Sequence, residues 1–167
     1  IGPNQLKEVG ASLRIVEGIL TITEVTGEFN GGSLSLESQL NAKYNKATFL
    51  AEGGLEGVDF NQFAASYGSP GIIEGNGNIS LDLSSTGSTQ KEMIKNLTGP
   101  VNIKTSGVSL QKISLEKTMC QGIALINKKP LSQPFPSNIE FASLDANLTF
   151  ADGTATIGPL SADLASL

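Results

Sequence analysis

Apolar and polar residues alternate with a period of two along most of this chain. Between Leu6 and Leu40, Val9, Ala11, Leu13 and Ile15 face one way, and Leu20 and Ile22 resume the pattern after Glu17-Gly18. That period places successive apolar side chains on one side of a half-buried strand. Asn30-Gly31-Gly32 offers the positive φ that a tight hairpin needs, and Leu34, Leu36 and Leu40 follow it. The chain is thus expected to open as a meander of antiparallel strands. Thr48 to Val58 predicts a further strand, with Gly53-Gly54 as an expected bulge. Ile72 to Leu83 alternates again, with Ile79, Leu81 and Leu83 opposite Ser80, Asp82 and Ser84. Val101, Ile103 and Thr105 predict a short strand, Ser106-Gly107 a turn, and Val108 with Leu110 a return. Ile139 to Ile157 predicts a last hairpin, turning at Asp152-Gly153.

The opening phrase recurs near the C-terminus. Ala11-Ser12-Leu13-Arg14-Ile15-Val16-Glu17-Gly18-Ile19-Leu20-Thr21-Ile22 is matched by Ala146-Asn147-Leu148-Thr149-Phe150-Ala151-Asp152-Gly153-Thr154-Ala155-Thr156-Ile157. Val25 and Phe29 are answered by Leu160 and Leu164 at the same offset. One unit of alternating β structure is therefore used twice.

Three segments carry the helical period instead. Asp59 is placed to cap Phe60 to Tyr67, which stops at Gly68 with Pro70 beyond. Thr89 and Glu92 have capping-box spacing ahead of Met93, Ile94 and Leu97, and Gly99-Pro100 closes that segment. Leu115, Met119, Ile123 and Ile126 share one helix face. Pro130, Pro134 and Pro136 make 128–138 a loop or extended connection. The fold class that follows is mainly β (α+β): a curved antiparallel sheet of meandering hairpins with about three short helices packed on it or capping it.

Composition narrows the function. With 167 residues the chain fits a single domain, 1–167, large enough for a substantial core. Charged residues make up only 16%, so the polar faces rest on Ser, Thr, Asn, Gln and Gly, the balance of an exported β protein. Net charge is −5 and no basic stripe exists, which argues against nucleic acid as a partner. Lys128-Lys129 is the longest cationic run, too short to hold an anionic membrane surface, so a bound lipid would be held by its tails. The absence of histidine excludes Ser-His-Asp and Cys-His catalysis and histidine metal ligands. Cys120, the single cysteine, reads as a small buried hydrophobe. Gly75-Asn76-Gly77 lacks the third glycine of a dinucleotide fingerprint, and Asp82, Asp145, Asp152 and Asp163 read as solvated strand and turn residues rather than glycosidase acids. No enzymatic activity and no cofactor are expected. The start at Ile1, without Met, suggests an excised piece of a longer protein.

Several phrases occur in a telling order: Leu13-Arg14-Ile15-Val16-Glu17-Gly18-Ile19-Leu20, Phe29-Asn30-Gly31-Gly32-Ser33-Leu34, Gly57-Val58-Asp59-Phe60 and Gly75 to Leu83. With Leu97-Thr98-Gly99 and Met119-Cys120-Gln121-Gly122-Ile123-Ala124-Leu125-Ile126-Asn127, the series resembles the C-terminal region of the AsmA family of Gram-negative envelope proteins. The resemblance implies a periplasmic domain, tethered in its parent by an inner-membrane helix, that serves outer-membrane biogenesis. It also implies a long sheet curled into an apolar trough for phospholipid acyl chains. Leu13, Ile15, Leu20, Ile22, Leu34, Leu36, Ile79, Leu81, Leu83, Leu148 and Phe150 are then the candidates for the lipid-binding face. The competing expectation is a structural or interaction module that contacts other envelope proteins, with this face closed as core.

Overall fold

In a computed structural model, residues 6–112 and 137–165 are described. They form one nine-stranded antiparallel sheet in the order β1-β2-β3-β4-β5-β6-β7-β8, with β9 also paired to β7. The strands are β1 (Leu6–Val16), β2 (Ile19–Phe29), β3 (Gly32–Asn41), β4 (Ala47–Asp59), β5 (Ile73–Gly87), β6 (Gly99–Gln111), β7 (Asn138–Ala151), β8 (Thr154–Ile157) and β9 (Ser161–Leu164). Spatial order equals chain order from β1 to β8, as expected of a meander. The sheet is open and curled: among the described residues β1 pairs only with β2, and no second sheet packs on it.

The turns follow from residues that tolerate the left-handed region. Glu17-Gly18, Asn30-Gly31 and Asp152-Gly153 all have positive φ at both positions, the type I′ geometry whose twist matches the flanking strands. The twofold use of one unit is visible in the pairing. Leu13 faces Ile22 as Leu148 faces Ile157, and Leu6 faces Phe29 as Phe141 faces Leu164. In the second copy Gly158-Pro159 splits into β8 and β9 what is one bulged strand, β2, in the first.

Two helices occur among the described residues, α1 (Phe60–Ser66) and α2 (Gln90–Lys95). Both have the caps anticipated for them. The Asp59 carboxylate accepts from the backbone N–H groups of Asn61 and Gln62, and Thr89 Oγ1 accepts from that of Glu92 at 3.2 Å. The third expected helix, over 115–126, and Cys120 within it lie outside the described residues.

Two expectations are corrected. Gly53-Gly54 is not a bulge, because β4 keeps its register against β3 from Thr48 to Glu56. The glycines are needed for close approach: a Cβ on Gly53 would run into Ser35 O, and one on Gly54 into Ile79 O. The bulge falls later, between Leu55 and Val58, where Gly57 has φ 69°. Ser106-Gly107 is not a turn either. Strand β6 runs through it, and Gly107 (φ 64°) takes up a register shift against β5. A single positive φ within a strand bends and twists it without reversing it.

The tightly packed core is small and lies at one end of the sheet. Val58, Phe60 and Val108 are buried together, with Leu55, Ile73 and Ile103 against them.

Candidate functional site

The register places apolar residues in rows that cross the strands. One row runs Val25, Leu36, Gly53, Leu81, Val101, Leu148 and Ile157, one residue from each strand from β2 to β8. Beside it runs Gly27, Leu34, Leu55, Ile79, Ile103 and Ala146. On the other side Leu13, Ile22, Ser38, Ala51 and Leu83 line up, and Phe150 continues that level on β7 opposite Gly99. Ile15, Leu20, Leu40 and Phe49 form a further row. All eleven residues singled out from the sequence therefore share one face. The opposite face carries Ser35, Glu37, Glu52, Ser80, Asp82, Asn102, Lys104 and Thr149, as alternation requires.

The sequence reading missed Leu40, Phe49, Leu55, Val101 and Ile103 as members of this face. Their signal was present in part, since Phe49, Ala51, Gly53 and Leu55 recur at every second position of β4, although the exposed Leu50 interrupts the alternation. The glycine pair, read as a bulge, concealed it.

The two helices lie on the apolar face at opposite ends of β5. At one end the Phe60 ring covers Gly77, so that a Cβ there would come within 2.7 Å of the ring. From there α1 reaches across to β2, where Phe63 stacks edge-on against Phe29 with ring centroids 6.4 Å apart. At the other end α2 covers Gly87, whose Cβ would lie 2.7 Å from Met93 N, and the buried Ser85 hydroxyl donates to Met93 O. Glycine at both positions is what lets a helix settle directly on the sheet.

Between these walls Ile79, Leu81 and Leu83 are half-buried, and no described element lies over them. The same holds along the rows: Leu20, Ile22, Leu34, Leu36, Leu148 and Phe150 are half-buried, while Leu13 and Ile15 on the outer strand are 66% and 74% exposed. Only Ala51, Val58, Phe60 and Val108 are buried apolar residues among those described. The result, among the described residues, is an apolar band across the strands, about 13 Å wide from Ile79 to Leu83 and about 29 Å long over seven strands, which α1 and α2 flank as a groove at β5. Its length is comparable to the ~30 Å of a bilayer's hydrocarbon core.

No charged side chain lies on the rows that line the groove. At the α1 wall, the pKa of Asp59 is displaced downwards. Hydrogen bonds hold its carboxyl below the usual carboxylate value, the Gln62 N–H first, against a smaller opposing effect of burial. That effect belongs to helix capping. Among the described residues no cluster of three or more Asp, Glu, Cys or His could hold a metal ion, and no helix is long and apolar enough to cross a membrane.

No curated protein and no solved structure matches the chain. The AsmA family model matches residues 4–160, which includes every strand and both helices down to β8. With that span matched, the chain belongs to the AsmA family, which connects it with biogenesis of the outer membrane.

Proposed function

We propose that this chain is a non-enzymatic, periplasmic module of an envelope protein whose parent is tethered to the inner membrane, and that its groove carries phospholipid acyl chains between the membranes. The observation that supports this reading is the continuous apolar face that, among the described residues, no element covers between α1 and α2. A water-exposed apolar surface of this extent is unfavourable, and soluble monomers rarely keep one without a use for it. An acyl chain laid along Leu36, Leu81, Val101 and Leu148 would gain about 0.8 kcal/mol for each methylene removed from water. The headgroup would stay in solvent. Because these contacts have no direction, a tail can slide from one strand to the next without breaking a hydrogen bond, so transport needs no chemical step.

Leu81→Asp tests the reading. Leu81 sits between Gly53 and Val101 at the centre of the longest row. In an open groove the carboxylate reaches water when no lipid is bound, so the variant stays folded and loses co-purified phospholipid. In a closed core the same change buries an unpaired charge and costs several kcal/mol. Mass spectrometry of extracted lipid, with thermal unfolding of the same samples, reads both quantities. An unfolded variant from a lipid-free parent would assign the domain to scaffolding of other envelope proteins.

A further inference from the structure

The two ends of the strands differ in charge. At one end the Glu17-Gly18 turn, the loop 42–46 and α2 meet through the bonds from Ala42 N to Gly18 O and from Ser88 Oγ to Asn45 O, both 2.9 Å, and the Asp152-Gly153 turn lies against Lys95. Besides the two acidic turn residues, this end carries Lys43, Lys46, Lys91, Glu92 and Lys95. At the other end lie the Asn30-Gly31 turn and the excursion between β4 and β5, Phe60 to Ile72, which contains no charged residue. Asp59, just before it, has its carboxylate taken up by Asn61 and Gln62.

The uncharged end also exposes large apolar side chains. Phe63, Tyr67 and Ile72 are all exposed, and Phe29, Phe63 and Tyr67 form a stack with ring centroids 6.4 and 5.2 Å apart. Because Phe29 follows Val25 and Gly27 at alternate positions of β2, the stack continues the apolar face outward. Ile94 on α2 is exposed too, but it stands among Lys91, Glu92 and Lys95. The backbone of the excursion is largely closed on itself. Tyr67 and Ser69 N–H donate to Ala64 O, Gly68 N–H to Ala65 O, the Ser66 hydroxyl to Phe63 O, and Gly71 N–H to Asn61 Oδ1. The carbonyls that a helix end normally offers to water are therefore already paired, which lowers the cost of taking this segment out of water.

We infer that the α1 end of the strands is a docking surface for a lipid bilayer, with Phe63, Tyr67 and Ile72 entering its interfacial layer. The charge pattern selects this partner. A segment that enters a membrane must leave water without taking a charge with it, which Phe60 to Ile72 can do and the α2 end cannot. Tyr67 suits the depth, since its ring is apolar and its hydroxyl can stay among the headgroups. With a net charge of −5, attraction to anionic headgroups supplies nothing, so the contact rests on apolar insertion alone. Insertion of so few side chains is reversible: this end touches a membrane and does not anchor in it. The inference is independent of what the groove holds.

The chain has no tryptophan and two tyrosines, which stand at opposite ends of the strands with nearly equal exposure, Tyr67 at 68% and Tyr44 at 72%. Tyr67→Trp and Tyr44→Trp therefore provide two matched single reporters. With phosphatidylcholine vesicles brominated on their acyl chains, emission from the Tyr67→Trp protein should shift to shorter wavelength and fall by roughly half, as suits insertion to about 5–10 Å. Emission from the Tyr44→Trp protein should not change. Flotation of the unsubstituted protein with the same vesicles should drop several-fold for Tyr67→Ser. Quenching of neither reporter would overturn the inference, as would equal quenching of both, which is adsorption without a preferred end. Quenching in the Tyr67→Trp protein that stays in the supernatant once the vesicles are spun out would also overturn it, because the reporter would then sense a lipid taken into the groove and not a bilayer.

Discussion

Asp59 joins two parts of the groove wall through one residue. Its carboxylate accepts from Asn61 N at 2.8 Å, Gln62 N at 3.0 Å and Gln62 Nε2 at 2.8 Å, and its own N–H donates to Asn30 O at 2.9 Å. The first three bonds start α1; the last ties it to the turn between β2 and β3. Because the folded chain favours the ionised form, this stabilisation is complete above the ordinary carboxyl value of 3.8 and is lost as the pH falls through the lower folded value. Asp59→Ala should therefore cost about 1 kcal/mol at neutral pH and reduce the acid sensitivity of unfolding below that value. Urea melts of both proteins across the acid range would measure it. Glu17 offers the opposite case. It holds φ 47° in a position that suits Asn, and its contact with Lys43 at 3.3 Å is between exposed side chains and contributes little. Glu17→Asn is expected to raise the melting temperature slightly, and a fall would show that the Lys43 contact matters more than backbone strain.

At the level of elements, glycines and bulges decide how the strands lie. Gly77 and Gly87 seat the helices, Gly53 and Gly54 let neighbouring strands come close, and Gly57, Gly75 and Gly107 take up register shifts that add twist. Strand identity was legible in the alternation, and both described helices were legible from their caps. The continuity of β4 and β6 was not, since Gly in a strand looks the same in sequence whether it makes a bulge, a turn or a close approach. Helix α1 depends on Phe60, which is packed with Val58 and Val108 and lies over Gly77. Phe60→Ala should cost about 3 kcal/mol. It should also raise hydrogen exchange in α1 more than in β2 and β3; a uniform rise would mean that the helix and the sheet unfold as one unit.

For the molecule as a whole, the small core and the large half-buried face are two sides of one arrangement. Among the described residues, side chains that a second layer would bury remain partly accessible, so the stability of this part rests on strand pairing and on the packing around Val58, Phe60 and Val108. If tails alone are held, the groove should bind zwitterionic and anionic phospholipids alike. Binding should change little between 0.1 and 1 M salt, where the screening length falls from about 10 Å to about 3 Å. Lipid-binding assays at both ionic strengths would check this, and a steep loss at high salt would point to headgroup recognition instead.

The sequence by itself determined the period-two faces, the Asn-Gly and Asp-Gly turns, the helix caps, the repeated hairpin and the family, because each is a local pattern or an ordered series of phrases. It also placed all eleven candidate residues on one side of their strands, since alternation fixes the face of every residue once the strand is known. Whether that face would be covered could not be read in the same way. An alternating strand has the same sequence under a second layer as beside an open groove. Only the tertiary structure decided that α1 and α2 settle at the two ends of β5 and that, among the described residues, no element lies over Ile79, Leu81 and Leu83 between them, because which glycines receive a helix depends on contacts between segments distant in the chain.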